Sequence, residues 1–316
     1  MLNKPLKLTD RISLIDDYDL SRKERTGTYV IKEENITLIE TCASPSVPYI
    51  IDGLKHLNID LDNIQYIIVT HIHLDHAGGA GLLLEKCPNA TIVVHPKGAR
   101  HLANPSRLIA GAKAVYGEKF KELFEPIIAI PEDRMIIKKD GETLRIGRNS
   151  TLTFYDTPGH ANHHFCIHDH VSNGIFTGDT IGIFYQELLK DDIELYLPST
   201  SPNQFNPDAM LHSANRIESF EIETIYFGHF GMSKNKNEVF RQLRYWLPLF
   251  VQTGRTCIET EPDKSMKAVS EGLFSLVSSF LDQKGISRDH TIYPLLHLDL
   301  EVCAMGIVDY LQKENR

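Results

Sequence analysis

His71, His73, Asp75 and His76 lie within six residues, in the stretch T-H-I-H-L-D-H-A-G-G from Thr70 to Gly79. Imidazoles and carboxylates are the ligands that zinc, iron and manganese accept, and one turn can hold four of them close together. Packing gains nothing from such groups, and charged imidazoles at this density would repel one another. The pattern therefore points to a metal centre. Short elements must position it. Tyr66 to Val69 is a β-branched apolar run bounded by polar residues, which predicts a buried strand. Leu82, Leu83 and Leu84 open a helix beyond Gly78 and Gly79, so the ligands sit between a strand end and a helix start.

Other strand ends carry similar residues. Thr28–Ile31 and Thr37–Glu40 read as strands joined by a turn at Glu33-Glu34-Asn35. Pro45 to Leu57 reads as a helix with Ser44 as its N-cap. Thr91 to Val94 is a further strand, closed by His95 as an ordinary polar residue or as one that points towards the site, and strand, helix and strand in this order suggest βαβ packing. Lys97, Arg100 and Arg107 follow, and one of them is expected to bind an anionic substrate group while the others line a solvated helix face. Pro105 to Glu125 reads as helical, with Tyr116, Phe120 and Phe124 as core residues or cleft walls. Asp140-Gly141 predicts a hairpin turn before the strand Thr143–Ile146. The next strand, Thr151–Asp156, ends in T-P-G-H, where proline and glycine turn the chain and aim His160. His163, His164, His168 and His170 come after it, with the last two expected to be exposed. Gly174–Thr177 is a strand that ends at Asp179, and Thr224–Phe227 is one that leads to His229.

The residues T-H-I-H-L-D-H-A-G-G, T-P-G-H, T-G-D-T and F-G-H-F-G, in this order, resemble the metallo-β-lactamase superfamily pattern from about Tyr29 to about Gly231. The resemblance implies an α/β chain folded as a four-layer αβ/βα sandwich. It also implies two metal ions: His71, His73 and His160 on one, Asp75, His76 and His229 on the other, and Asp179 bridging. His164 would support the ligands without being one. Zinc is the first expectation for both ions, with iron and manganese as alternatives. Two such ions about 3.5–4 Å apart can share a hydroxide of lowered pKa, the nucleophile of a hydrolase, with Asp75 as the catalytic proton carrier. Tyr185 is the tyrosine best suited to donate to an oxyanion, with Phe184 and Tyr196 as further pocket residues.

The catalytic part is expected to span 1–234 and a helical C-terminal extension 235–316. Val269, Leu273, Val277 and Leu281 recur there at helical spacing, a second apolar helix follows around Leu298–Leu311, and Trp246 reads as core. The extension could cover the sandwich, cap the cleft or form a homodimer surface. A net charge of −9 disfavours a nucleic-acid partner, and 42% hydrophobic content is that of a soluble globular protein. No stretch reaches the ~20 apolar residues of a membrane span. The N-terminal residues lack the apolar core of a signal peptide, and the five cysteines show no paired spacing, so a reducing cytoplasm is expected. The expected partner is a small-molecule substrate: a carboxylic ester, thioester or lactone. The alternatives are a phosphodiesterase, a di-iron oxidoreductase or a small-molecule sensor without turnover. His73 counts against the redox option, because the flavo-diiron branch of the family has glutamate at that position. The segments H-P-K-G-A-R-H-L and S-P-N-Q-F-N-P-D are similar to a prokaryotic branch of the superfamily that implies no particular substrate.

Overall fold

A computed structural model describes residues 4–261 and 265–314, so Met1 to Asn3 of the N-terminal stretch lie outside the described residues. The chain forms two compact units. The first takes the described residues up to Asp156, then His163–Gly178 and Glu221–Lys234. The second takes Thr157–Asn162, Asp179–Phe220 and the described residues from Asn235. The helical segment after residue 234 thus groups with two stretches that precede it in the chain.

The first unit is built on two sheets. One has seven strands in chain order: β1 (Leu6–Lys7), β2 (Ile12–Asp16), β3 (Gly27–Ile31), β4 (Ile36–Ile39), β5 (Ile64–Ile68), β6 (Thr91–Val94) and β7 (Met135–Ile137). The strands β1 to β4 pair antiparallel, and β4 to β7 are parallel. The parallel strands β4 to β6 are largely apolar because most of their residues on both faces are buried. Successive side chains point to opposite faces: Ile67, Ile92 and Val94 join one cluster, and Ile68 and Val93 join the other. The first cluster packs under α1 (Val47–His56), α3 (Ala80–Lys86) and α4 (Pro96–Ala103); a single turn, α2 (Leu74–Ala77), precedes α3. The helices α5 (Ser106–Tyr116) and α6 (Phe120–Phe124) follow α4.

The second sheet has the order β15-β14-β11-β10-β9-β8. Its strands are β8 (Thr143–Gly147), β9 (Ser150–Asp156), β10 (Phe165–Asp169), β11 (Gly174–Phe176), β14 (Thr224–Tyr226) and β15 (Met232–Ser233). Leu152, Phe154, Phe165 and Phe176 from this sheet share one core with Ile12, Leu14, Tyr29, Ile68 and Val93 from the other. The expected hairpin at Asp140-Gly141 is corrected here. Its flanking strands β7 and β8 belong to different sheets, so the turn carries the chain from one sheet to the next.

The second unit holds the two-stranded ribbon β12 (Ile183–Phe184) and β13 (Tyr196–Leu197), with α7 (Pro207–Glu218), α8 (Lys236–Thr260), α9 (Ser265–Gln283) and α10 (Ile292–Glu314). Val269, Leu273, Val277 and Leu281 form the buried row of α9, and buried Trp246 of α8 meets Phe280 edge-on at 5.2 Å. The last helix starts six residues before the expected Leu298, because Ile292, Tyr293 and Leu296 extend its buried face. All five cysteines are free thiols, four of them buried. Burial pushes Cys87 up to about 12 and Cys303 up to about 11. No helix among the described residues is long and apolar enough to cross a membrane.

Phe154 is fully buried between the sheets, with its ring 4.9 Å from that of Phe165. Phe154→Ala is expected to lower stability by about 3–5 kcal/mol in urea unfolding. A loss under about 1 kcal/mol would mean that the two sheets do not depend on this core.

Candidate metal centre

The ligand loop begins where β5 ends. Its backbone is tied to the end of β4: Thr41 gives both its amide and its hydroxyl to the His76 carbonyl, each at 2.9 Å. Gly79 N–H donates to the Cys42 carbonyl at 2.8 Å. Ser44, expected as a helix cap, instead sends its hydroxyl to the carbonyls of Gly78 (3.1 Å) and Pro126, while the helix starts later, at Val47. The turn of α2 then sets Asp75 and His76 one after the other at its start.

The rings converge within this unit. His71 is fully buried, and its Nε2 lies 3.1 Å from Nδ1 of His73. Two nitrogens bound tetrahedrally to one zinc at ~2.0–2.1 Å would stand roughly 3.3 Å apart, so this pair fits a common ion. Asp75 Oδ2 lies 3.8 Å from His76 Nε2 and 3.7 Å from His229 Nε2, a second convergent donor set. His229 is held by its loop. The hydroxyl of buried Tyr29 donates into the carbonyls of Phe227 and Gly231, each 2.6 Å away, across the left-handed residue Phe230.

Three residues that the sequence reading left without a role belong to this site. Glu40, in left-handed conformation (φ 70°), sets Oε2 3.5 Å from His76 Nδ1, while its Oε1 accepts from the amide of Thr70 (3.3 Å) and from the Thr70 hydroxyl. A carboxylate this close to Nδ1 favours a cationic or Nδ1-protonated ring, the tautomer that presents Nε2 to a metal. His163 is buried, with its ring edge-on to His73 at 5.3 Å. Asp19 is buried and paired with Arg25 at 2.9 Å. Burial raises the Asp19 carboxyl above its ordinary range; Arg25 opposes this, Asp75 adds to it and His229 opposes it. His164, expected to support the ligands, is buried with its ring 5.1 Å from that of His71.

In the second unit, His160 and Asp179 form a group of their own. His160 Nδ1 donates to the Ser199 carbonyl at 3.0 Å, which leaves Nε2 3.7 Å from Asp179 Oδ2. That oxygen also accepts from the Ser199 hydroxyl at 3.1 Å. Gly159 (φ 138°) lies against the Met210 backbone, so only glycine fits the T-P-G-H turn. Thr180 Oγ1 donates to the Thr157 carbonyl at 2.6 Å and joins this turn to that of Asp179. The oxyanion role expected of Tyr185 is not supported: the residue is buried and its hydroxyl donates to Asp299 at 3.0 Å. Phe184 and Tyr196 stack on each other at 4.8 Å within their ribbon. His95, by contrast, caps α4 by accepting from the Lys97 amide, and His170 is exposed with His168 half-buried. Phe120 and Phe124 are buried core residues that pack with Leu74 of the ligand loop.

Two expectations follow. Glu40→Gln keeps the shape but removes the charge facing His76, and should weaken metal binding by about 10–100-fold in chelator competition; unchanged affinity would remove Glu40 from the site. Asp17 is fully buried, accepts from the Thr28 hydroxyl at 3.0 Å, and burial raises its carboxyl well above the usual value. A raised folded-state pKa means stability that is present below the unfolded value and lost as pH rises through the folded one. Asp17→Asn should therefore melt higher than the parent, by a margin that grows from pH 4 to pH 8; a constant margin would contradict this.

The model of the metallo-beta-lactamase superfamily matches residues 25–229, more than half of the chain. The metallo-beta-lactamase fold-containing protein ST1585 of Sulfurisphaera tokodaii is 26% identical over 179 residues, covering 56% of this chain and 64% of that one. Its crystal structure superposes with a TM-score of 0.64 at 19% identity, over 95% of this chain and 99% of the other. The metallo-beta-lactamase family protein TTHA1429 of Thermus thermophilus does so with a TM-score of 0.68 at 17% identity, over 98% and 95%. Diflavin flavoprotein A 1 of Synechocystis sp. is 24% identical over 247 residues, 73% of this chain and 39% of that one. The chain spans between 35% and 64% of the length of the first curated relatives it matches. The fold is mixed α/β with two sheets and a helical C-terminal segment, its residues include His/Asp clusters suited to metal, and the chain belongs to the metallo-beta-lactamase superfamily.

Proposed function

We propose that the protein is a metal-dependent hydrolase of a carboxylic ester, thioester or lactone, with two divalent ions, zinc first, held by His71, His73, Asp75, His76, His160, Asp179 and His229. The observation that carries this reading is the imidazole of His73, whose Nδ1 lies 3.1 Å from His71 Nε2. It stands where the flavo-diiron branch of the family has glutamate, and nitrogen-rich donor sets suit zinc. When bound, the ions would supply a Lewis acid and a water-derived nucleophile at neutral pH. The remaining tasks fall to side chains. The Ser199 carbonyl holds the ring proton of His160 on Nδ1, and the Glu40 carboxylate lies 3.5 Å from Nδ1 of His76. Asp75, with a side chain 28% exposed beside buried His76 and His229, is the carboxylate we assign to proton transfer with solvent.

Likeness to a diflavin flavoprotein favours a second reading, a di-iron oxidoreductase. Elemental analysis and an absorption spectrum of protein purified without added metal separate the two. Hydrolysis predicts two zinc ions per chain, no colour, and turnover of a thioester or lactone. His71→Ala and Asp179→Ala should each lose metal and turnover by more than the roughly 10–100-fold of a residue that only supports a ligand. Iron with a visible band, and no turnover in the ester panel, would replace the hydrolase with the redox enzyme.

A further inference from the structure

The chain has a net charge of −9, yet the segment from Pro96 to Gly117 contains Lys97, Arg100, Arg107 and Lys113 and no acidic residue. Elsewhere Arg11, Arg25, Arg241, Arg244, Arg255 and Arg288 each pair with a carboxylate. Among the described residues Arg100 and Arg107 pair with none, although both are exposed. Arg100 Nε donates to His101 Nε2 at 3.2 Å, which leaves the ring proton of the neutral imidazole on Nδ1 as a further donor. Both guanidiniums act on that ring: burial first, then Arg100 and Arg107, lower the His101 pKa. Arg100 and the imidazole N–H of His101 thus stand together on α4, Arg107 follows at the start of α5, and neither guanidinium has a carboxylate partner among the described residues.

The spot borders the ligand loop. Since β5 and β6 run parallel in register (Ile68 opposite Val93), the loop after β5 and the helix α4 after β6 leave the same end of the sheet. A Cβ on Gly98 of α4 would stand 2.8 Å from Ile72 Cγ2, so the helix backbone presses on the residue between His71 and His73. His101 lies one turn further along that side of the helix. Leu108, Ile109 and Tyr116 of α5 pack in the cluster that contains Leu74, the residue between His73 and Asp75. The ligand loop thus meets α4 through Ile72 and shares a hydrophobic cluster with α5 through Leu74.

We propose that Arg100, His101 and Arg107 bind a carboxylate on the substrate, remote from the reacting carbonyl, so that the preferred substrate is an anionic ester, thioester or lactone. A guanidinium pair matches the two oxygens of a carboxylate better than a lysine does. This substrate class rests on the hydrolase reading, but the carboxylate site can be tested apart from it. With metal-loaded protein, kcat/KM is measured for the mono-p-nitrophenyl ester of adipic acid and for neutral p-nitrophenyl hexanoate. The ratio of the two should fall at least tenfold in the Arg100→Ala/Arg107→Ala double variant, and a Lys/Lys variant should recover part of it. Melting curves confirm that each variant is folded. An unchanged ratio overturns the proposal. If the parent protein hydrolyses neither ester, the hydrolase reading fails, and equilibrium dialysis of labelled adipate judges the site alone. Binding at least tenfold weaker in the Ala/Ala variant upholds it, and equal binding overturns it.

Discussion

Thr41 holds the His76 carbonyl through two donors, and the rest of the site depends on that grip. Several imidazoles and carboxylates can be buried at one point only if the backbone that carries them is fixed first, because each polar group removed from water must find a partner in a set position. Parallel pairing of β4 with β5 brings the end of one strand beside the start of the loop. Thr70, His76, Gly78 and Gly79 are then bonded to Glu40, Thr41, Ser44 and Cys42. The left-handed conformations of Glu40 (φ 70°) and Cys42 (φ 50°) are the local strain that this clamp sustains.

The surroundings of the first unit's ligands are charged in a directed way. Glu40 faces His76 from behind, and Asp19 lies within electrostatic reach of Asp75 and His229. These buried carboxylates favour a cation, and Arg25 offsets only one of them. On α4 and α5 the sign reverses: Lys97, Arg100, Arg107 and Lys113 are cationic, and Arg100 and Arg107 are exposed. Acidic groups behind a convergent cluster of imidazoles and carboxylates suit a site for cations.

In the second unit the same economy of parts recurs. Ser199 uses its carbonyl on His160 and its hydroxyl on Asp179, so one residue orients both. The helices α8 to α10 supply that unit with its apolar mass, and Asp299 of α10 takes the hydroxyl of Tyr185. Tyr185 looked like a free donor in the sequence because its partner lies 114 residues away.

Much was legible in the residues alone, and the reason is locality. His71, His73, Asp75 and His76 are potential ligands in one turn, so the chemistry they could do reads directly from spacing. The apolar runs of β3 to β6 and the i, i+4 row of α9 are equally local. The strands β1 and β2 carry no clear local signal, and Asp140-Gly141 has hairpin chemistry yet joins two sheets, because turn chemistry does not reveal which sheet the next strand joins. Glu40, His163 and Ser199 carry no local signature; their importance comes from pairing partners 20 or more residues distant. What the sequence by itself determined was the type of site, since ligand identity and short-range spacing are properties of the chain. Which carboxylate steadies which imidazole, and which cations stand beside the loop, was decided only by the parallel register of β4, β5 and β6, which brings distant strand ends together at one edge.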